Sequence, residues 1–241
     1  MERTSVLFAR RRNMASQMPD FVPEPSAVIF DLDGTLIDSA PSIREAVNAM
    51  LAEVGRPPLS LAEVKGFIGN GLPMLVTRVM AARELDPSRA EEILARVSGH
   101  YARLSLEAPH FYPGALEALQ RLAAQGHRLG LCTNKPVQLA QAILEDCGIA
   151  GLFGAVLGGD SLPVRKPDPQ HLLATVEKLG GGAAIFVGDS EIDAETAERA
   201  ALPFLLFTGG YAKRPVAEIP AAVRFDHHDA LPRHVAELQP A

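Results

Sequence analysis

The chain has 241 residues, 47% hydrophobic and 22% charged, enough for one large or two modest globular domains. A formal net charge of -6 excludes an overall basic field that would draw it to nucleic acid or an anionic membrane. No apolar run approaches the roughly 20 residues that span a bilayer, so a soluble, cytoplasmic protein is expected, with Cys132 and Cys147 as free core residues.

The first 25 residues stand apart. Arg3, Arg10, Arg11 and Arg12 surround a short apolar patch at 6–9, and Pro19, Pro23 and Pro25 follow. The patch is too short for a secretory core. The segment reads as a disordered tail, with a transit peptide as the alternative, and Met14 and Met18 offer later starts.

From residue 27, short apolar runs alternate with amphipathic stretches, the pattern of a parallel sheet with crossover helices. The predicted strands are 27–32, 128–132, 155–158, 183–187, 204–207 and 222–225. Leu116, Leu119 and Leu122 mark one crossover helix ending at Gly126; Leu139, Ile143, Leu144 and Cys147 mark another ending at Gly148. Residues 39–109 break the rhythm with helical patterns and no strand. Ile43, Val47, Met50, Leu51 and Val54 form one apolar face after Pro41, and Ser60 with Glu63 forms a capping box for a second helix. Asp86 and Pro87 open a third, carrying Ile93, Leu94, Val97, Tyr101 and Leu104. An insert placed directly after the first strand hangs over the carboxyl end of the sheet, where such sheets bind ligands. The expected organisation is a core of 26–38 and 110–241 with an all-helical cap at 39–109.

Four short segments carry the chemistry. In DLDGT (31–35), Asp31 and Asp33 project to one side of a nearly extended chain while Leu32 turns into the core. Two carboxylates at a buried strand end need a cation or a shared proton, although such pairs also serve as turn residues. Gly34 permits a sharp exit turn and Thr35 adds a hydroxyl. In LCTNKP (131–136), Thr133 ends the second strand and Asn134 begins the next helix, either as a phosphate cradle or as plain caps. In RKPDP (165–169), two prolines stiffen the loop around Lys166, which is a solvated surface charge unless it balances an acidic, phosphate-bearing site. GDSEID (188–193) brings Asp189, Glu191 and Asp193 to a second strand end as ligands for a hard ion such as magnesium, a role compatible with capping the next helix. No His/Cys cluster points to zinc.

Taken in order, these segments resemble those of the haloacid dehalogenase superfamily of phosphatases. The resemblance runs from 26 to about 238 and implies a three-layer, Rossmann-like α/β core with an inserted helical cap. It implies that Asp31 is a nucleophile that becomes an aspartyl-phosphate, while Asp33 protonates the leaving alcohol and then takes a proton from water. Mg2+ would be held by Asp31, the backbone carbonyl of Asp33 and Asp189, with Asp193 ordering the ion's outer sphere. Thr133 would bind the transferring phosphoryl group, Lys166 would orient and neutralise the nucleophile, and Thr35 and Asn134 are further substrate-binding candidates. The presence of Asp33 argues against dehalogenation.

Within the superfamily, FIGNG (67–71), FYPG (111–114), TNKP (133–136), GGDSLPVRKPDP (158–169) and TGGY (208–211) are similar to the phosphoglycolate phosphatase family. This implies hydrolysis of 2-phosphoglycolate to glycolate, with Gly69, Asn70 and Gly71 either meeting the substrate carboxylate from a cap loop or serving as a hinge. Hydrolysis of another small sugar or nucleotide phosphate, or a β-phosphoglucomutase-like phosphosugar transfer, is the alternative. The expected partner is a small phosphorylated metabolite, with no nucleic acid and no membrane, and the protein a monomer or small homo-oligomer.

Overall fold

All six predicted apolar runs are strands of one parallel sheet. The computed structural model describes residues 26–107 and 110–238, so the segment expected to be a disordered tail lies outside the described residues. β1 (Ala27–Phe30), β2 (Arg128–Cys132), β3 (Phe153–Leu157), β4 (Ala184–Gly188), β5 (Phe204–Phe207) and β6 (Val223–Phe225) pair in the order β3-β2-β1-β4-β5-β6. The chain steps from β1 outward to β2 and β3, then returns past β1 to build β4, β5 and β6. At such a reversal the loops leave the strand ends in opposite directions, and a crevice opens at the carboxyl end of β1.

Four helices follow β1 before the crossover helix that leads into β2: α1 (Ala40–Glu53), α2 (Leu61–Phe67), α3 (Leu72–Ala82) and α4 (Ala90–Glu107). α2 begins in the expected capping box: Ser60 Oγ accepts from Glu63 N at 3.2 Å, and Glu63 Oε2 accepts from Ser60 N at 2.8 Å. Asp86 opens a short turn ahead of α4 by accepting from Ser88 N at 2.9 Å. α3 goes beyond the three helical patterns read from the sequence; it starts at Gly71-Leu72-Pro73, with proline in its first turn but no capping side chain. The four helices share a core of their own, built from residues such as Val47, Met50, Val64, Val79, Ile93 and Val97. Each such apolar side chain contributes about 1.5–3 kcal/mol when fully buried. Entry and exit run side by side: Ile37 bridges Phe111, Asp38 N donates to His110 O at 2.8 Å, and Tyr112 N donates to Leu36 O at 3.0 Å.

β1 is buried along its whole length, as a central strand covered on both faces must be. Val28 and Phe30 pack with Leu131 and Val187 beneath α5 (Ala115–Ala124), α6 (Val137–Asp146) and, at the far end, α9 (Leu231–Glu237). Ala27 and Ile29 face the other way, with Phe186 and Leu206, beneath α7 (Pro169–Lys178) and α8 (Glu191–Arg199). Helix, sheet and helix thus form three layers. Both cysteines are free thiols. Among the described residues, no helix is long and apolar enough to cross a membrane.

Candidate active site

Beyond Phe30, Asp31 N continues the ladder by donating to Val187 O at 2.9 Å, so the next residues emerge at the carboxyl edge of the sheet. Leu32 is fully buried in the core, while Asp31 and Asp33 line the cavity above it. Gly34 turns the chain at φ +88, and a Cβ there would lie 2.7 Å from the Tyr211 ring and 2.8 Å from the Asp189 carboxyl carbon. Only glycine meets both demands.

Asp31, Asp189 and Asp193 are buried, with carboxylate oxygens within 4.8 Å of one another. Lys166 Nζ lies 2.9 Å from Asp31 Oδ1 and 2.6 Å from Asp193 Oδ1. Burial pushes Asp31 up to about 6 although Lys166 pulls it down, with Asp193 and Asp33 adding to the rise. Burial also carries Asp189 well above the usual carboxylate range, helped by Asp193 and Asp31. Burial alone would lower the Lys166 ammonium, but Asp193 and Asp31 hold it above the ordinary lysine range.

The three acids differ in their room for an ion. Asp193 Oδ1 accepts from Lys166, and its Oδ2 accepts from Ser190 Oγ at 2.7 Å and from the amides of Asp189 and Ser190 at 3.2 Å. Those bonds also make it the partner of Ser190 in the cap of α8, so capping and the acidic site coincide. Asp189 accepts one bond on each oxygen, from Thr35 Oγ1 at 2.8 Å and from Tyr211 N at 2.6 Å. The buried Oδ1 of Asp31 has no hydrogen-bond donor in line with it, only the Lys166 ion pair. Mutually repelling oxygen donors with spare lone pairs on Asp31 and Asp189 fit a hard cation such as Mg2+; saturated Asp193 fits its surroundings.

On the other side of Asp31, β2 ends at Cys132 and α6 begins only at Val137. Asn134 therefore does not begin the helix, contrary to the sequence expectation. Pro136 holds the cap position and disfavours helical backbone at the residue before it. Thr133 and Asn134 line the cavity, and Asn134 Nδ2 donates to the carbonyls of Gly69 and Lys166, each at 3.0 Å. Lys135 Nζ donates to Asp33 Oδ1 at 2.6 Å and to the Tyr101 hydroxyl, with the Tyr101 ring centroid 4.6 Å away. Sequence reading passes over both partners: Lys135 stands unremarked inside TNKP, and Tyr101 counts as apolar helix face. The available signal was a lysine wedged between Asn134 and Pro136 at a strand end.

The insert closes the cavity with Ile43, Ile68, Leu72 and Leu75, and with Gly69 and Gly71 of the predicted loop. Asn70 Oδ1 accepts from Arg78 Nη2 at 2.7 Å, and the residue is not among those that line the cavity. Thr35 is likewise fully buried outside the lining, its hydroxyl bracing Asp189. Lys166 also stays out of the lining, held between Asp31 and Asp193. Gly71 adopts φ +81, and a Cβ on it would lie 3.0 Å from Asn134 O, so loop and core meet closely here. The cavity is partly open to solvent and measures about 40 Å³.

A model of haloacid dehalogenase-like hydrolases matches residues 25–201. A phosphoglycolate phosphatase of Cereibacter sphaeroides (strain ATCC 17029 / ATH 2.4.9) is 52% identical over 207 residues, 85% of this chain and 95% of its own. One from Rhodospirillum rubrum is 45% identical over 215 residues, 86% and 89% of the two chains. The crystal structure of a predicted phosphoglycolate phosphatase from Haemophilus somnus 129pt superposes with a TM-score of 0.82 at 32% identity, covering 87% of this chain and 97% of that one. A family match across most of the chain, on a parallel sheet with acids gathered at its central strand end, leaves one conclusion: this phosphoric monoester hydrolase belongs to the haloacid dehalogenase-like hydrolases.

Proposed function

We propose that the protein is a Mg2+-dependent phosphatase that hydrolyses 2-phosphoglycolate to glycolate and phosphate through an aspartyl-phosphate on Asp31. The observation that carries this reading is the cavity of about 40 Å³ above Asp31 and Asp33, walled by apolar side chains of the insert. Those apolar walls offer few partners for the hydroxyls of a sugar ring or nucleoside, which favours a short leaving group. The names of the relatives point the same way.

In this reading Asp31 attacks phosphorus while Lys166, 2.9 Å from its Oδ1, keeps the carboxylate oriented and offsets its charge. Asp33 hands a proton to the departing alkoxide and later removes one from the attacking water. Thr133 holds the phosphoryl oxygens, and Asn134 fixes the insert loop over them through Gly69. Held by Asp31, Asp189 and the Asp33 carbonyl, Mg2+ would supply positive charge to the transferring group. Residues 39–109 act as a cap on a core of 26–38 and 110–241.

A phosphomonoester panel should show phosphoglycolate as the preferred substrate; a clear preference for a sugar phosphate or nucleotide would replace this reading. Saturating Mg2+ should raise the unfolding temperature of the chelator-treated protein, about 2.7 kcal/mol of added stability being expected at 100 times its Kd. Asp189→Asn should lose most of that rise, and chelator should suppress turnover until Mg2+ is returned. An unfolding temperature indifferent to Mg2+ would count against the ligand assignment.

A further inference from the structure

We infer that Lys135 is the cation that recognises the carboxylate of the leaving group, and so makes the enzyme prefer a short acid to a neutral alcohol of the same length. The inference rests on the phosphoglycolate reading and deepens it.

Lys135 lies in the loop after β2, where its backbone is fixed on both sides. Its carbonyl accepts from Gly159 N at 2.8 Å, and its amide donates to Thr133 Oγ1 at 3.3 Å. The residue is only 4% exposed, a rare place for a lysine unless its charge is used. An ammonium carries three N–H donors in a tetrahedral fan. Asp33 takes one and the Tyr101 hydroxyl another; the third has no partner among the described residues.

Lys135 also carries the single positive charge among the described side chains that line the cavity. The other buried ammonium of the site, Lys166, is already committed to Asp31 and Asp193 outside the lining. The two lysines therefore divide the work by position. Lys166 sits beneath the carboxylate that meets phosphorus. Lys135 stands where the core touches Tyr101 of the insert, at the wall that receives the rest of the substrate.

An unmet N–H in a buried cavity favours an anionic acceptor and penalises a ligand that lacks one. A two-carbon acid places its carboxylate one carbon from the ester oxygen, within reach of an ammonium already bonded to the proposed proton donor Asp33. Asp33 keeps its contact, because the substrate takes the third N–H rather than displacing it. Gly69 and Gly71 of the loop add no side chain here, and a Cβ on Gly71 would lie 3.0 Å from Asn134 O.

The test compares 2-phosphoglycolate with 2-hydroxyethyl phosphate, which has the same length but ends in a hydroxymethyl group. Wild-type kcat/KM should favour the acid by about 10³-fold. In Lys135→Met that ratio should fall below about tenfold, with the loss for phosphoglycolate expressed mainly in KM. Both esters are measured on one preparation, so any unfolded fraction or shared loss of chemistry cancels from the ratio. Lys135→Gln keeps a donor for Asp33, should show the same collapse, and replaces the methionine variant if that one does not fold. A wild-type enzyme that turns over both esters equally overturns the inference, and so does a preference for the acid that survives both substitutions. In the second case the substrate reading stands. A wild-type enzyme that does not hydrolyse phosphoglycolate removes that reading and this inference together.

Discussion

Asp31→Asn is expected to leave a folded protein whose turnover falls by at least about 10⁴-fold. The amide has no anionic oxygen with which to form an acyl phosphate, and its neighbours offer no substitute. Both oxygens of Asp193 are committed, and each oxygen of Asp189 already accepts a hydrogen bond. Folding is spared because Lys166 keeps Asp193 at 2.6 Å, so no buried ammonium is left alone. The metal-free proteins should also differ in how stability follows pH. Burial raises Asp31 from the ordinary 3.8 to about 6, so the folded chain keeps a proton that the unfolded chain releases between those values. Stability from this group is therefore complete below pH 4 and is lost as pH rises through about 6. Asparagine does not titrate. In chelator, the unfolding temperature of the variant minus that of wild type should climb from pH 4 to pH 6 and then level off. Substantial turnover by the variant would end the nucleophile assignment, and a flat or falling difference would contradict the buried, proton-holding carboxyl.

What the sequence disclosed of this site, and what it hid, follows chain distance. Ser60–Glu63 and Ser190–Asp193 are visible as caps because their partners are three residues apart on one turn. The gathering of Asp31 with Asp189 was legible for a different reason. Each acid follows a buried apolar run, and parallel strands deliver their carboxyl ends to one edge. The role of Lys135 is not legible locally because its partners lie 102 residues away at Asp33 and 34 away at Tyr101, on an insert whose docking no local pattern encodes. The bonds of Thr35 Oγ1 to Asp189 and of Asn70 Oδ1 to Arg78 are likewise invisible in sequence, because those pairings exist only after packing. α3 is hard to see in the sequence because glycine and proline at its start read as a turn, while Val76 and Val79 find their apolar partners on other helices.

Asp33→Asn is expected to lower kcat/KM for phosphoglycolate by about 10³-fold, the loss of a positioned proton donor. The structure separates this effect from damage to the metal site. The Asp33 carboxylate stands outside the cluster formed by Asp31, Asp189 and Asp193, held instead by Lys135 at 2.6 Å. An asparagine oxygen can still accept from that ammonium, and the backbone carbonyl proposed to face the ion is untouched. The loss should therefore depend on the leaving group. An aryl ester such as p-nitrophenyl phosphate releases a phenolate that needs no proton, so phosphorylation of Asp31 should proceed nearly as in wild type. Water must then be activated without a base, and the phosphoenzyme should accumulate. The expected record is a burst of nitrophenol approaching one equivalent per enzyme, then slow turnover, with a phosphoryl adduct on Asp31 visible by mass spectrometry. Equal losses for alkyl and aryl esters, without burst or adduct, would show that Asp33 works through the fold around Lys135 rather than on the proton.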